Sequence, residues 1–321
     1  LDESGVVTVR LQWLLLLILG SVIAADCLWT SLAHFDVDTG AYGLLALLAS
    51  GLGLAGLFYT RVRNDEHLSA MLFGSGFLIA FSASFSLLNY FLLTVAGPRI
   101  DAPLAAADRA IGIDWLAMMT LAANHPAANK ALEFAYNSVL PQIVLLIACL
   151  GARSRAADIY RFSLALAVGA GITVFCWTAF PSFGAFSVYE LPNAVSSRLT
   201  VALDGHYAHD LLALLANGPG RISPQEVKGL IGFPSFHAVL ALLVAWYAWP
   251  LRRLRWPAIG LNAAVLVATP IQGGHHIVDV IAGFGVAAAA IAVTGLLVRV
   301  TLPVRSAPLA TALSHLQSSA N

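Results

Sequence analysis

Charge is what this sequence has least of. Asp, Glu, Lys and Arg together make up 11% of its 321 residues, against about 25% in soluble domains. An ordinary soluble domain is therefore excluded. The formal net charge is zero and no basic patch stands out, which argues against a nucleic-acid partner. Cysteine is also sparse. Cys27, Cys149 and Cys176 are odd in number and lack metal-ligand spacing, so they are expected to be small apolar packing residues. No linker or shift of composition marks a second domain. What fills the chain is apolar residue, 59% of it, with a mean hydropathy of +0.81. It is an integral membrane protein.

About 20 apolar residues cross a bilayer. By that ruler eight spans are expected, at 11–29, 42–60, 68–96, 130–151, 158–180, 233–250, 256–272 and 277–298. Arg10 followed by Leu11 to Ala25 resembles a signal peptide, but Asp26 spoils the cleavage site before Cys27 and an uncleaved first helix is expected. The stretch 100–125 carries Asp101, Asp108, Arg109 and Asp114 among apolar residues at helical spacing. It reads as a helix lying on the membrane. Its charges are either a solvated face or a gate for substrate.

Basic residues divide unevenly between the connections. Eleven of the seventeen fall on one set, from Arg10, Arg61 and Arg63 through Arg153, Arg155, Arg161 and Arg252–Arg255 to Arg299 and Arg305. The positive-inside rule then places both termini in the cytoplasm and the longest connection, 181–232, on the outer side. A loop of that length with Pro, Asn, Asp and His is commonly functional and is expected to act as a lid.

Two histidine segments lie on the same outer side. One is Gly232-Phe233-Pro234-Ser235-Phe236-His237 and the other Gly273-Gly274-His275-His276-Ile277-Val278-Asp279. Ionisable residues beside membrane spans point to function. His275 and Asp279 are four apart and share a helix face. A carboxylate there fixes one ring nitrogen and leaves the other for a nucleophile or base. Gly273 and Gly274 precede a helix start whose amides and dipole suit an anion such as phosphate. If the two helix starts converge, one histidine attacks while the other protonates the leaving group.

Pro234-Ser235-Phe236-His237 resembles the P-S-G-H motif of the type 2 phosphatidic acid phosphatase superfamily, and His275 to Gly283 resembles its H-x-x-x-D motif. Asp101 to Trp115, Tyr136-Asn137-Ser138 with Gln142, and Phe180 to Phe183 look like the branch containing inositol phosphorylceramide synthase. The resemblance covers roughly 95–290. It implies a core of six helices within residues 68–300, preceded by two helices over 1–67 and followed by a cytoplasmic tail, 301–321. It implies His275 as nucleophile forming a phosphohistidine, Asp279 as its orienting partner, His237 as general acid, and Ser235 holding the phosphoryl group. It implies no metal and no cofactor. The substrate would be a phospholipid or polyprenyl phosphate among membrane lipids.

The sequence also departs from the motifs. Phe236 replaces glycine, Thr269 stands where an arginine is usual, and no lysine precedes Phe180-Pro181. Substitute cations are sought in Lys228, Arg198, Arg221 or Lys130. Three functions follow: a metal-independent lipid phosphatase, a phosphotransferase with an alcohol acceptor, and a transporter or scaffold with a degenerate site. Tyr136, Asn137 and Gln142 are expected as polar glue between helices, and Phe180, Phe183 and Phe186 as interfacial anchors. His276 is expected to be structural, and His206 and His209 to lie on a loop surface.

Overall fold

The computed structural model describes residues 3–203, 205–218, 220–227 and 229–301; the side chains of 3–7, 205–208 and 301 are not described. Lys228 and the tail from 302 onward lie outside the described residues.

The regular structure of the described chain is helical, apart from one isolated bridge between Val37 and Ile222. In order the helices are α1 (Glu3–Ala33), α2 (Thr39–Phe58), α3 (Glu66–Leu92), α4 (Asp101–Ala110), α5 (Trp115–Asn124), α6 (Pro126–Asn137), α7 (Val139–Ala152), α8 (Ala156–Ala179), α9 (Asn193–Ser196), α10 (Gly205–Asn217), α11 (Phe236–Ala248), α12 (Arg255–Gln272) and α13 (Ile277–Thr301). The few carboxylates punctuate this run. Asp38, Asp65 and Asp114 cap α2, α3 and α5 by accepting backbone N–H bonds, which satisfies orphan donors at each helix start. The Asp38 carboxyl is held below its usual range, chiefly by the Ala41 amide.

All eight apolar runs are helical, but they are not equal. Among the described residues five helices are long and apolar enough to cross a membrane. The run 130–151 is instead two helices, α6 and α7, bent by 50°. Pro141 lies in the first turn of α7 and has no N–H to return to residue 137, so the ladder breaks there. Counted as one, the pair makes a sixth span. The remaining two runs are shorter than the others. α11 has 13 residues, about 20 Å at 1.5 Å per residue, because 229–235 is irregular. α12 has 18 residues and contains Pro270.

α8 is the central element, packed against α1, α3, α7, α11 and α13, with Phe162, Leu164, Ala165 and Trp177 fully buried. α12 packs on α6 and α11, while α2 leans mainly on α3. Leu44, Leu47, Phe134, Val144, Val267 and Leu296 point outward. Such apolar exteriors on helices with satisfied backbones are what a bilayer demands. α1 is tied into the bundle by Gln12 Nε2 donating to Tyr160 Oη (2.7 Å) and by Ser84 donating to Asp26.

Several expectations are corrected by packing. The stretch 100–125 is two helices, α4 and α5, parted at Gly112, whose φ of +82° favours glycine. Asp101 and Asp108 are buried at 3% and 2% exposure rather than solvated, while Arg109 and Asp114 face outward, Arg109 bonding Tyr189 Oη at 2.9 Å. Phe183 is a core residue and Phe186 is half-buried, so of the three phenylalanines only Phe180 is exposed. Cys27 is exposed on α1, while Cys149 and Cys176 are half-buried and all three are free.

Candidate active site

The two histidine segments meet. α11 starts at Ser235, whose backbone N–H donates to the Asp279 carbonyl at 3.0 Å and whose hydroxyl caps α11 by accepting from the Ala238 N–H at 3.4 Å. This contact requires Gly283. A Cβ there would stand 2.7 Å from the Ser235 carbonyl oxygen and 2.8 Å from the Ala238 Cβ. Gly283→Ala is therefore expected to push α11 off α13, lowering stability by about 1–3 kcal/mol and lowering turnover with it. A thermal melt in detergent checks this, and an unchanged melting temperature would contradict it.

His275 is held at both ends of its ring. Its Nδ1 lies 2.8 Å from the Gly232 carbonyl and 3.4 Å from Asp279 Oδ2. Both neighbours are acceptors, so Nδ1 carries the proton. Nε2 is left with its lone pair, 3.5 Å from the Ser235 hydroxyl. Ser235, His275 and Asp279 are all buried. Gly232 is itself anchored, its N–H donating to the Ser182 carbonyl at 3.0 Å.

His237 is half-buried on the first turn of α11. Tyr136 stacks on its ring, with centroids 4.1 Å apart and planes at 15°, and the Tyr136 hydroxyl is 3.3 Å from His237 Nδ1. Gly273 joins the two histidines. A Cβ there would meet Tyr136 Oη at 2.6 Å and His275 Cδ2 at 3.0 Å. The site is thus one cluster of Ser235, His275, Asp279, His237 and Tyr136. Tyr136, expected only as glue between helices, reaches it because the α6–α7 bend turns α6 toward α12.

His276 is separated from this cluster by its ring. It is fully buried, neither ring nitrogen has a hydrogen-bond partner, and Nδ1 lies 3.6 Å from Asp108. Its backbone joins Asp279, the N–H donating to the carboxylate at 2.9 Å and the carbonyl accepting from the Asp279 N–H at 3.1 Å.

The start of α13 is not an open anion site. Asp108 accepts from the Ile277 N–H at 2.9 Å and from the Val278 N–H at 3.0 Å. A carboxylate from α4 therefore takes the place expected for phosphate. A second buried carboxylate does the same for the 181–184 turn. Asp101 Oδ1 accepts from the Ser182 hydroxyl (2.8 Å) and from the Phe183 and Gly184 amides at 2.7 and 3.0 Å. Its other oxygen pairs with Arg99 at 2.6 Å. Gly184, at φ +78°, then passes close against the Gly274 carbonyl, and the Ala185 N–H donates to that carbonyl at 2.5 Å. The long connection is thereby packed onto the histidine segment. Farther along, Gln272 binds Asn129 Oδ1 at 2.7 Å and the Ala202 N–H at 3.1 Å.

The substitute cations that are described are not brought to the histidines. Arg198 is exposed and Arg221 pairs with Asp38 at 3.3 Å. Lys130 is exposed on α6. Among the described residues no Lys or Arg is bonded to the cluster. Asn137 stays outside it too, while Gln142 is glue as expected, accepting from Asn262 Nδ2 at 2.7 Å. Among the described residues no group of three His, Cys, Asp or Glu side chains converges as a metal site.

Fold and site together define a polytopic, all-helical membrane protein with paired histidines at adjoining helix starts. The family model described as the PAP2 superfamily matches residues 102–293, more than half of the chain, and the chain belongs to that superfamily. Its members are generally phosphatases and phosphotransferases acting on lipid phosphates within membranes. The match spans both histidine segments and α4 to most of α13, and leaves α1 to α3 outside. No curated protein and no solved structure matches the chain.

Proposed function

We propose that this protein is a lipid phosphate phosphatase that works through a phosphohistidine on His275. The observation that carries the reading is the fixed tautomer: Nδ1–H is held by Gly232 and Asp279, so Nε2 is an unprotonated nucleophile. Nε2 attacks phosphorus, the bond to the lipid oxygen breaks, and His237 gives that oxygen its proton. Water then attacks the phosphohistidine, His237 takes a proton from it, and inorganic phosphate leaves. Ser235 turns its hydroxyl from Nε2 to the phosphoryl oxygens. Tyr136 holds the His237 ring by stacking and accepts from Nδ1–H when the ring is charged. The uneven arginine distribution supports an outer-face site with both termini inside. Lys228, outside the described residues, and Arg198, exposed on the connection 181–232, are left as candidates for gripping the phosphate.

A second reading, transfer of a phospho-headgroup to an alcohol as in inositol phosphorylceramide synthesis, is favoured by one observation. No cation is bonded to the cluster among the described residues. A phosphodiester carries one negative charge where a phosphomonoester carries up to two, and needs less neutralisation.

The test is incubation of the purified protein with phosphatidic acid, a polyprenyl phosphate and phosphatidylinositol, with and without an alcohol, in excess chelator. Free phosphate is the expected product, and turnover is expected to survive the chelator. A new phosphodiester supports the second reading, and no turnover of any lipid supports a scaffold or transporter. His237→Ala is expected to slow natural lipid substrates by about a hundredfold or more. It is expected to spare the initial burst of p-nitrophenol from p-nitrophenyl phosphate, whose leaving group needs no proton, while the later hydrolysis that uses His237 as base slows for both substrates. Loss of that burst to the same extent as the first step on lipid would remove His237 from the acid role.

A further inference from the structure

The opposite end of the bundle holds a second concavity with its own chemistry. α7 and α8 are joined by a tight turn carrying Arg153 and Arg155, in which the Arg155 N–H donates to the Leu150 carbonyl at 3.0 Å. α11 and α12 are joined by a turn carrying Arg252 and Arg253. Tyr247 brings the two turns together by donating its hydroxyl to the Arg161 carbonyl at 3.2 Å. The four arginines, with Pro250 and Leu251, line one cavity of about 570 Å³.

Among the described residues its charge is not balanced from within: the carboxylate present there, Asp158, is already shared by Arg155 at 2.5 Å and Arg161 at 3.2 Å. Among the same residues Arg153, Arg252 and Arg253 have no ion pair or side-chain hydrogen bond. Arg255 adds another cation beside them, lying over the rings of Trp249 and Trp256 at 5.4 Å from each, with its Nε buried and unpartnered.

An apolar groove continues from this basin. It has a volume of about 560 Å³ and is lined by Leu242, Ala245, Trp246, Trp249, Pro250 and Ile259. Pro250 lines both concavities. Trp246 and Trp249 are more than half exposed on the same side. Tryptophan at that position suits the headgroup level of a membrane. The two concavities together match one molecule: an anionic headgroup among arginines, then an acyl chain along tryptophans.

We propose that this end of the bundle is a binding site for an anionic phospholipid, separate from the histidine site. Basic pockets between helix ends are suited to acidic headgroups, and guanidinium forks bind phosphate oxygens in pairs. α11 alone places the basin about 20 Å from His237, so the lipid bound here is not the one turned over. It sits on the turns that fix α7, α8, α11 and α12 relative to one another.

The test is native mass spectrometry of the full chain in neutral detergent with phosphatidylglycerol or phosphatidylcholine of the same chain length. The wild type is expected to retain phosphatidylglycerol preferentially. The combined variant Arg153→Gln, Arg252→Gln, Arg253→Gln is expected to bind it about a hundredfold more weakly, with phosphatidylcholine unaffected. If that variant does not fold, Arg252→Gln alone is expected to lose about fivefold. Trp249→Ala is expected to weaken long-chain phosphatidylglycerol but not a dihexanoyl analogue. Equal retention of the two lipids by the wild type, or unchanged phosphatidylglycerol binding in the folded arginine variants, would overturn the site. Displacement of the lipid by equimolar inorganic phosphate would overturn its assignment to a lipid.

Discussion

Replacing His275 with alanine is expected to reduce turnover of lipid phosphates by about ten-thousand-fold or more, since removal of a covalent nucleophile leaves only binding and electrostatics. The expectation rests on a ring that is fixed before substrate arrives. Gly232 and Asp279 hold Nδ1, and Ser235 faces Nε2. The same substitution is expected to abolish an acid-labile phosphoryl label on the protein, trapped by quenching the wild type during turnover. Because the His275 side chain is buried at the edge of the bundle core, a melt must accompany the assay. A folded variant with more than a tenth of wild-type turnover would exclude His275 as nucleophile.

Asp108→Ala is expected to have the largest effect on stability of any single change at the site, about 3 kcal/mol. Two backbone amides, those of Ile277 and Val278, lose a charged acceptor worth about 1.5–3 kcal/mol each, and part of that loss is recovered by relaxation. The fully buried His276 also loses the carboxylate 3.6 Å from its Nδ1. Asp108→Asn keeps one acceptor oxygen and is expected to lose about half as much. Melting temperatures of the three proteins in one detergent decide the matter, and a neutral Asp108→Ala would mean that the helix start finds other partners. The substitution is also expected to lower activity, since α13 carries both His275's partner Asp279 and the glycine on which α11 rests.

These two predictions differ in how far they were legible beforehand. His275 and Asp279 are four residues apart, although His275 lies in the turn just before α13 and not on the helix face expected for it, and Ser235 and His237 belong to one short motif. Local spacing was enough to assemble them. Asp108 acts on a helix start 169 residues later, and within its own helix it looks like any charge on an amphipathic face. One signal was available: Asp101 and Asp108 are seven apart and so share a face of α4. Nothing in the sequence said that this face is covered. Tyr136 was weighed as glue because its run reads as one straight span, and the bend at Ser138 that redirects it follows from Pro141 in context. The expectation that phosphate would occupy the start of α13 failed for a related reason. The helix start is indeed an anion site, but the chain supplies its own anion.

The sequence by itself determined that the chain lives in a membrane, because 59% apolar residues with 11% charge leave no soluble alternative. It determined helices, because apolar runs in a bilayer must satisfy their own backbones, and it pointed to the His275–Asp279 pair, because four residues of chain at a helix start keep two side chains close. Only the tertiary structure decided which side chains surround that pair. Gly232 and Tyr136 reach the histidines across the bundle, Asp101 and Asp108 consume the amides on either side, and the basic residues proposed to grip phosphate lie elsewhere or outside the described residues. Those contacts join residues from roughly forty to about 170 positions apart. They depend on helix packing and on close approach at Gly283, Gly274 and Gly184, which no periodicity in one segment encodes.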